Sequence, residues 1–253
     1  MKKSKTTNGR LAATGTRAPG KFEKEKCQKE LQKIKKRIDD FQNLLNAERK
    51  HALLIVLQGM DASGKDGAIK NVFQEVNPMG CRVISFKIPT EEEISHDFLW
   101  RVHKEAPGKG MIHIFNRSHY EEVLVTRVHK VIDDRVAKQR FEHINNFEKL
   151  LKENGTEILK FYLHVSRKEQ LERLEEREQN PKKMWKYNSH DKKERKLWNE
   201  YMAAYEDVFK HCSSSAEWTI VPSDQNWYKE YVIAKKVLET LEGFHMKYPA
   251  VKK

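Results

Sequence analysis

Gly59, Gly64 and Lys65 stand at a spacing that suits phosphate. Gly59-Met60-Asp61-Ala62-Ser63-Gly64-Lys65 has the G-x-x-x-x-G-K pattern, in which small residues let backbone N–H groups curl around phosphate oxygens. A following helix adds the positive end of its dipole, and the lysine adds a mobile charge. Gly59, Ala62, Ser63, Gly64 and Lys65 are therefore candidate phosphate-binding residues. Asp66 is grouped with them, although it stands where Ser or Thr normally offers a hydroxyl to magnesium. Two carboxylates beside a phosphate would repel it unless a divalent cation intervened, and Mg2+ prefers oxygen ligands and substrate phosphates. Asp61 is the candidate metal ligand; Asp66 reads equally well as an acid stabilised by a helix N-terminus.

Two further segments carry compatible chemistry. Ile112-His113-Ile114-Phe115 leads into Asn116-Arg117-Ser118-His119-Tyr120-Glu121-Glu122. Arg117 can meet phosphate with a planar fork; Asn116 occupies the strand end, and Glu121 and Glu122 supply acids or simply a solvated helix face. Further on, the stretch from Arg177 to Asn188 is basic, interrupted by Pro181, and holds Trp185 and Tyr187. Such a segment can act as a lid whose cations close on a transferring phosphoryl group and exclude water. Arg177 and Lys186 lead there, with Lys182 as a further phosphate ligand; Lys192, Lys193 and Lys196 fit a solvated linker.

These segments need elements to position them. Residues 22–48 show three- and four-residue apolar spacing and predict a helix. The continuous apolar run of residues 52–57 predicts a strand buried on both faces, followed by the loop and a helix over 65–76. Strands are predicted at 82–88, 111–115, 158–165 and 218–221. Helices are predicted at 91–105, 119–127, 133–154, 168–177, 191–211 and 227–242. Strands separated by helices imply an α/β fold with a parallel sheet flanked by helices, whose ligands bind beyond the carboxyl ends of the strands. The two motifs just described both follow strands.

Composition sets limits. The chain has 253 residues, 34% of them charged, and a formal net charge of +12. No apolar run approaches the roughly 18 residues that span a bilayer, and the basic N-terminus lacks a signal-peptide core; the expected location is cytoplasmic, without membrane binding. Cys27, Cys81 and Cys212 are scattered and odd in number, which supports neither a disulfide framework nor a zinc site. Residues 1–21 carry six basic residues and no acid and are expected to be a disordered tail. Residues 22–250 are expected to form one domain that includes a lid at about 177–196. The basic balance favours a polyanionic partner without choosing among nucleic acid, nucleotide and polyphosphate.

Taken together, the loop from Gly59 to Gly67, the segment from Phe115 to Glu121 and the lid from Arg177 to Lys186 resemble the second polyphosphate kinase family. The resemblance covers roughly Phe22 to Pro249 and includes Trp198-Asn199-Glu200-Tyr201 and Val221-Pro222-Ser223-Asp224. It implies a thymidylate-kinase-like P-loop core with a helical lid, Mg2+ dependence and homo-oligomers, either dimers or tetramers. The implied activity is phosphoryl transfer between inorganic polyphosphate and nucleotides (AMP, ADP, ATP). The implied catalytic set is Asp61, Lys65, Asn116, Arg117, Glu121 and Arg177. Many relatives carry Asp where this chain has Asn116; Asn116 combined with Glu121 resembles the subgroup acting on both nucleoside mono- and diphosphates. Two alternatives stay in view: an ATP-dependent nucleotide kinase on the same fold, and a non-catalytic polyanion- or RNA-binding protein. No recognised RNA-binding module is present, so dedicated nucleic-acid binding is not expected.

Overall fold

The computed structural model describes residues 9–250. Its centre is the strand β1 (Ala52–Gln58), every residue of which is buried. Its side chains alternate between two cores: Leu54 and Val56 enter one, and Leu53, Ile55 and Leu57 enter the other. That two-sided burial is why the run reads as continuously apolar. Each such aliphatic side chain contributes about 1.5–3 kcal/mol when fully buried.

Four further strands, β2 (Cys81–Ser85), β3 (Ile112–Asn116), β4 (Thr156–His164) and β5 (Trp218–Pro222), complete a parallel five-stranded sheet in the order β2-β3-β1-β4-β5. The chain leaves β1 towards β2 on one side and leaves β3 towards β4 on the other. The carboxyl ends of β1 and β3, paired in register at Leu57 and Asn116, therefore border the crevice where connections diverge. Open α/β sheets bind their ligands at such a point.

Helices cover both faces. The long helix that follows the N-terminal segment, Lys24–Glu48, and the last helix, Asn226–Gly243, pack together on one face. The former presents Cys27, Leu31, Ile34, Ile38 and Leu45 to the core. It stops where Arg49 turns left-handed (φ 54°) and donates its N–H to Leu45 O. The opposite face carries Glu121–Val128, Asp134–Glu153 and Trp198–His211. Asp133 and Ser166 cap the helices that follow them, accepting from the N–H groups of Val136 and Glu169. No helix among the described residues is long and apolar enough to cross a membrane.

Three expectations need correction. Residues 91–105 are not one helix but two short ones, Glu91–Ser95 and Trp100–His103. Thr90 and Glu93 form a capping box at the first, and the Asp97 carboxylate accepts from Leu99 N–H between them, a local turn that competes with helix continuation. The helix expected over 191–211 is Ser189–Glu194, a 3-10 turn at Arg195–Leu197, then Trp198–His211.

The third correction concerns the tail. Residues 1–8 lie outside the described residues, but 9–21 are seated on the domain. Leu11 is buried in the core, and Glu206 accepts from the N–H groups of Arg10 and Leu11. Thr16 donates its hydroxyl to Asp224, Asp224 N–H donates to Thr16 O, and Ala18 N–H donates to Gln225 Oε1. Local composition suggested disorder because every one of these partners is about 200 residues away.

Candidate active site

The loop Gly59–Gly64 ends β1 and opens the helix α1 of the site, Lys65–Phe73. Its course demands small residues. Gly59 has φ 151°, and a β-carbon there would lie 2.9 Å from Leu163 O and 2.8 Å from Ser63 Oγ. Gly64 (φ 95°) and Ala62 (φ 59°) are also left-handed, and for Ala62 that conformation is strained. Lys65 folds back under the loop, donating to Gly59 O (2.7 Å) and Met60 O (3.1 Å). Burial, aided by the nearby Arg117 guanidinium, pushes its ammonium down to about 8.

Beside the loop, Arg117 adopts φ 64° immediately after β3 and donates its N–H to Leu57 O (3.0 Å), fastening the second motif to the first. Its guanidinium bridges Asp61 and Glu121, with Nη1 3.0 Å from Glu121 Oε2. Glu121 first, then Asp61, raise its affinity for the proton further. Asn116 donates to Asp66 Oδ1 (2.9 Å), and Lys186 reaches across from the lid segment to Asp66 Oδ2 (3.0 Å). Burial opposes ionisation of Asp66, but the Lys186 and Asn116 hydrogen bonds hold the carboxyl below its usual range. Arg177, near the end of the helix Arg167–Gln179, pairs with Asp191 at 3.1 Å. Burial and then the Asp61 charge raise the Asp191 carboxyl.

These groups border one open cleft of about 530 Å3. Asp61, Ala62, Gly64, Lys65, Asp66, Asn116, Arg117, Arg177 and Lys186 line it. Gly59 and the buried Ser63 belong to the loop but do not line the cleft, and Glu121 stands against Arg117. Lys182 is exposed and is not among the lining side chains. The cleft also takes in Ser85, Phe86 and Lys87 from the carboxyl end of β2, which the strand-end rule could have flagged. Asp191, Arg173, Gln170 and Lys229 were not singled out in the sequence. Lys229 is buried behind Gly64, held by Asn226 at 2.9 Å, and burial with the adjacent Arg173 pushes it down to about 8.

The donor set suits a metal held by few side chains. Among the described residues no three His, Cys, Asp or Glu side chains converge to cage an ion. Asp61 and Asp66, however, both face the cleft, and one or two carboxylates with water and substrate phosphates suffice for Mg2+.

A left-handed glycine loop on a central parallel strand, a strand-end arginine and a basic segment across the cleft define a P-loop kinase fold. The polyphosphate kinase 2 family model matches residues 21–249, and the chain belongs to that family. It is 48% identical over 217 residues to the AMP/ADP-polyphosphate phosphotransferase of Meiothermus ruber, covering 85% of this chain and 81% of that one. It is 42% identical over 226 residues to the ADP-polyphosphate phosphotransferase of Rhodopseudomonas palustris, covering 84% and 78%. The crystal structure of polyphosphate kinase 2 from Arthrobacter aurescens TC1 superposes with a TM-score of 0.94 at 37% identity, covering 98% of this chain and 90% of that one.

Proposed function

We propose that the protein transfers the terminal phosphoryl group of inorganic polyphosphate to AMP and ADP, in line and assisted by Mg2+. The observation that carries this is the convergence of the loop, Arg117 and the cations Arg177 and Lys186 on one cleft. Such a cleft offers several positive charges to a chain of phosphates. The Meiothermus ruber relative, named for both AMP and ADP, supports the same pair of acceptors here, as does the Asn116–Glu121 combination.

In phosphoryl transfer the protein mainly positions and neutralises. Gly64, Lys65 and the first N–H groups of α1 cradle the donor's end phosphates. Arg117, held by Asp61 and Glu121, presents its fork to the transferring group. Arg177 and Lys186 exchange Asp191 and Asp66 for phosphate oxygens as the segment across the cleft closes, displacing water. Asp61 and Asp66, which both line the cleft, would hold Mg2+, and the ion would supply charge neutralisation for the phosphates. Asn116 orients Asp66, and Glu121 orients Arg117 and the acceptor. No side chain needs to form a phosphoenzyme. The working form is expected to be a homo-oligomer, a dimer or tetramer.

The test supplies polyphosphate as the sole phosphoryl donor, with Mg2+ and either AMP or ADP. ADP from AMP and ATP from ADP are expected. Product formed only when ATP replaces polyphosphate would instead identify an ATP-dependent nucleotide kinase.

A further inference from the structure

Two arginines one turn apart on the helix Arg167–Gln179 behave differently. Arg177 makes one ion pair and faces the cleft. Arg173 is not among the residues that line it, and all five of its N–H donors are occupied. Its Nε donates to Glu169 (2.8 Å), and Nη1 donates to Ala62 O and Ser63 O (both 3.1 Å). Its Nη2 donates to Ser223 O (2.7 Å) and Asp224 O (3.1 Å). Three residues earlier, on the same helical face, Gln170 donates to Asp61 O at 3.0 Å. One helix thus grips three consecutive carbonyls of the phosphate loop.

We infer that Arg173 is a positioning residue for phosphoryl transfer, holding the loop in its phosphate-receiving shape without touching substrate. The reason lies in the planar trans peptide, which points a carbonyl and the next N–H in opposite directions. Holding Ser63 O towards Arg173 turns Gly64 N–H the other way, towards the cleft that Gly64 lines. Holding Ala62 O turns Ser63 N–H towards Met60 O, which accepts it at 3.1 Å and closes the turn. The same bonds offset the left-handed strain at Ala62. Only a guanidinium serves, because its rigid fork spans two pairs of carbonyls that a point-like ammonium cannot bridge.

The far end of the clamp is itself anchored. Asp224, whose carbonyl Arg173 holds, accepts at its carboxylate from Ser166 N–H (2.7 Å) and from the Thr16 hydroxyl (2.8 Å). The N-terminal strap is therefore tied, through Asp224 and Arg173, to the loop that receives phosphate.

The inference rests on the phosphotransfer reading, and steady-state kinetics of Arg173→Lys and Arg173→Ala test it. Arg173→Lys keeps charge and stem; it should fold with a thermal midpoint near that of the wild type yet lose kcat on the order of 10²-fold, as misplacement by about 1 Å does. Its KM for polyphosphate should stay within a few-fold, and free guanidinium should restore part of the activity of Arg173→Ala. Wild-type kcat in Arg173→Lys would overturn the inference. So would a raised KM for polyphosphate at unchanged kcat, which would make Arg173 a donor ligand. Loss of folding in both variants would make it purely structural and overturn it as well. The comparison uses whichever donor the wild type accepts. Failure of polyphosphate as donor would therefore sink the functional reading, while the ratio of variant to wild-type kcat still judges Arg173.

Discussion

The heptapeptide Asn116–Glu122 faces two ways, and its two faces follow opposite electrostatic rules. Asn116, Arg117 and Glu121 meet Asp61, Asp66 and Lys186 at the cleft, in pairs that remain partly exposed. Ser118, His119 and Tyr120 turn inward: Ser118 accepts from Gln58, and His119 and Tyr120 join a buried cluster behind the cleft. There Lys160 donates to Glu148 (2.6 Å), Tyr120 Oη (2.9 Å) and Cys212 O (2.9 Å), with both members of the ion pair 0% exposed. Tyr120 donates to Glu148 at 2.6 Å, and His119 Nε2 lies 3.3 Å from the same oxygen. Charges at the cleft can exchange partners for phosphate; those behind it cannot leave without stranding each other. Similar polar residues, adjacent in sequence, thus divide into a partly exposed set free to exchange partners and a buried set that cannot.

The largest expected effect lies in the fixed set. Glu148→Ala leaves Lys160 buried and unpaired, and chemical denaturation should show a loss of about 3–5 kcal/mol. The double variant Glu148→Leu/Lys160→Met should be far less destabilised than the sum of its single changes. Additive losses would show that the pair is not coupled and would erase the contrast.

Asp61→Asn samples the exchangeable set. Turnover should fall on the order of 10²-fold, while stability changes by less than about 1 kcal/mol because Arg117 keeps Glu121. Near-normal turnover would remove Asp61 from the chemistry, and a stability loss matching that of Glu148→Ala would break the division.

Acid should strike the fixed set. Burial depresses the His119 imidazole, so the unfolded chain takes up that proton first and stability falls as pH drops below about 6.5. Burial alone would raise the Glu148 carboxyl, but His119 and Lys160 hold it below its usual value; its contribution is present at neutral pH and is lost on further acidification. His119→Asn should flatten the stability profile below about pH 6.5. An unchanged slope would mean that His119 does not titrate with folding.

The smallest effect is expected at the N-terminal strap. Thr16→Val removes one hydroxyl bond to Asp224 and should cost about 1 kcal/mol, lowering the thermal midpoint by about 2–4 °C. No shift would mean that this bond does not secure the strap.

What could be read from the sequence followed from locality. The buried run of β1, its glycine loop and the motif after β3 are each contiguous, so apolar pattern and spacing revealed them. The caps Asp133 and Ser166 are local in the same sense, each lying beside the helix whose N–H it accepts. Arg173 is not: its acceptors Ala62, Ser63, Ser223 and Asp224 lie 50 to 111 residues away. Lys160 was hidden differently: it is a charge inside an apolar strand, and its partner Glu148, only 12 residues back, sits among the polar residues of the helix Asp134–Glu153. The strap at 9–21 looked like a free tail because its anchors, Glu206, Asp224 and Gln225, are remote. Lys182 and Lys186 were indistinguishable by type, and only the chain path across the cleft separates them.

Direct passage of a phosphoryl group from polyphosphate to a nucleotide in this cleft leaves a definite isotopic signature. Transfer from phosphorus-labelled polyphosphate to unlabelled ADP, quenched in acid during turnover, tests it most directly. The label should appear in the terminal phosphate of ATP with none retained on the protein, and Asp61→Asn should suppress its appearance. Label retained on the protein, or released only as inorganic phosphate while ADP is unchanged, would contradict it.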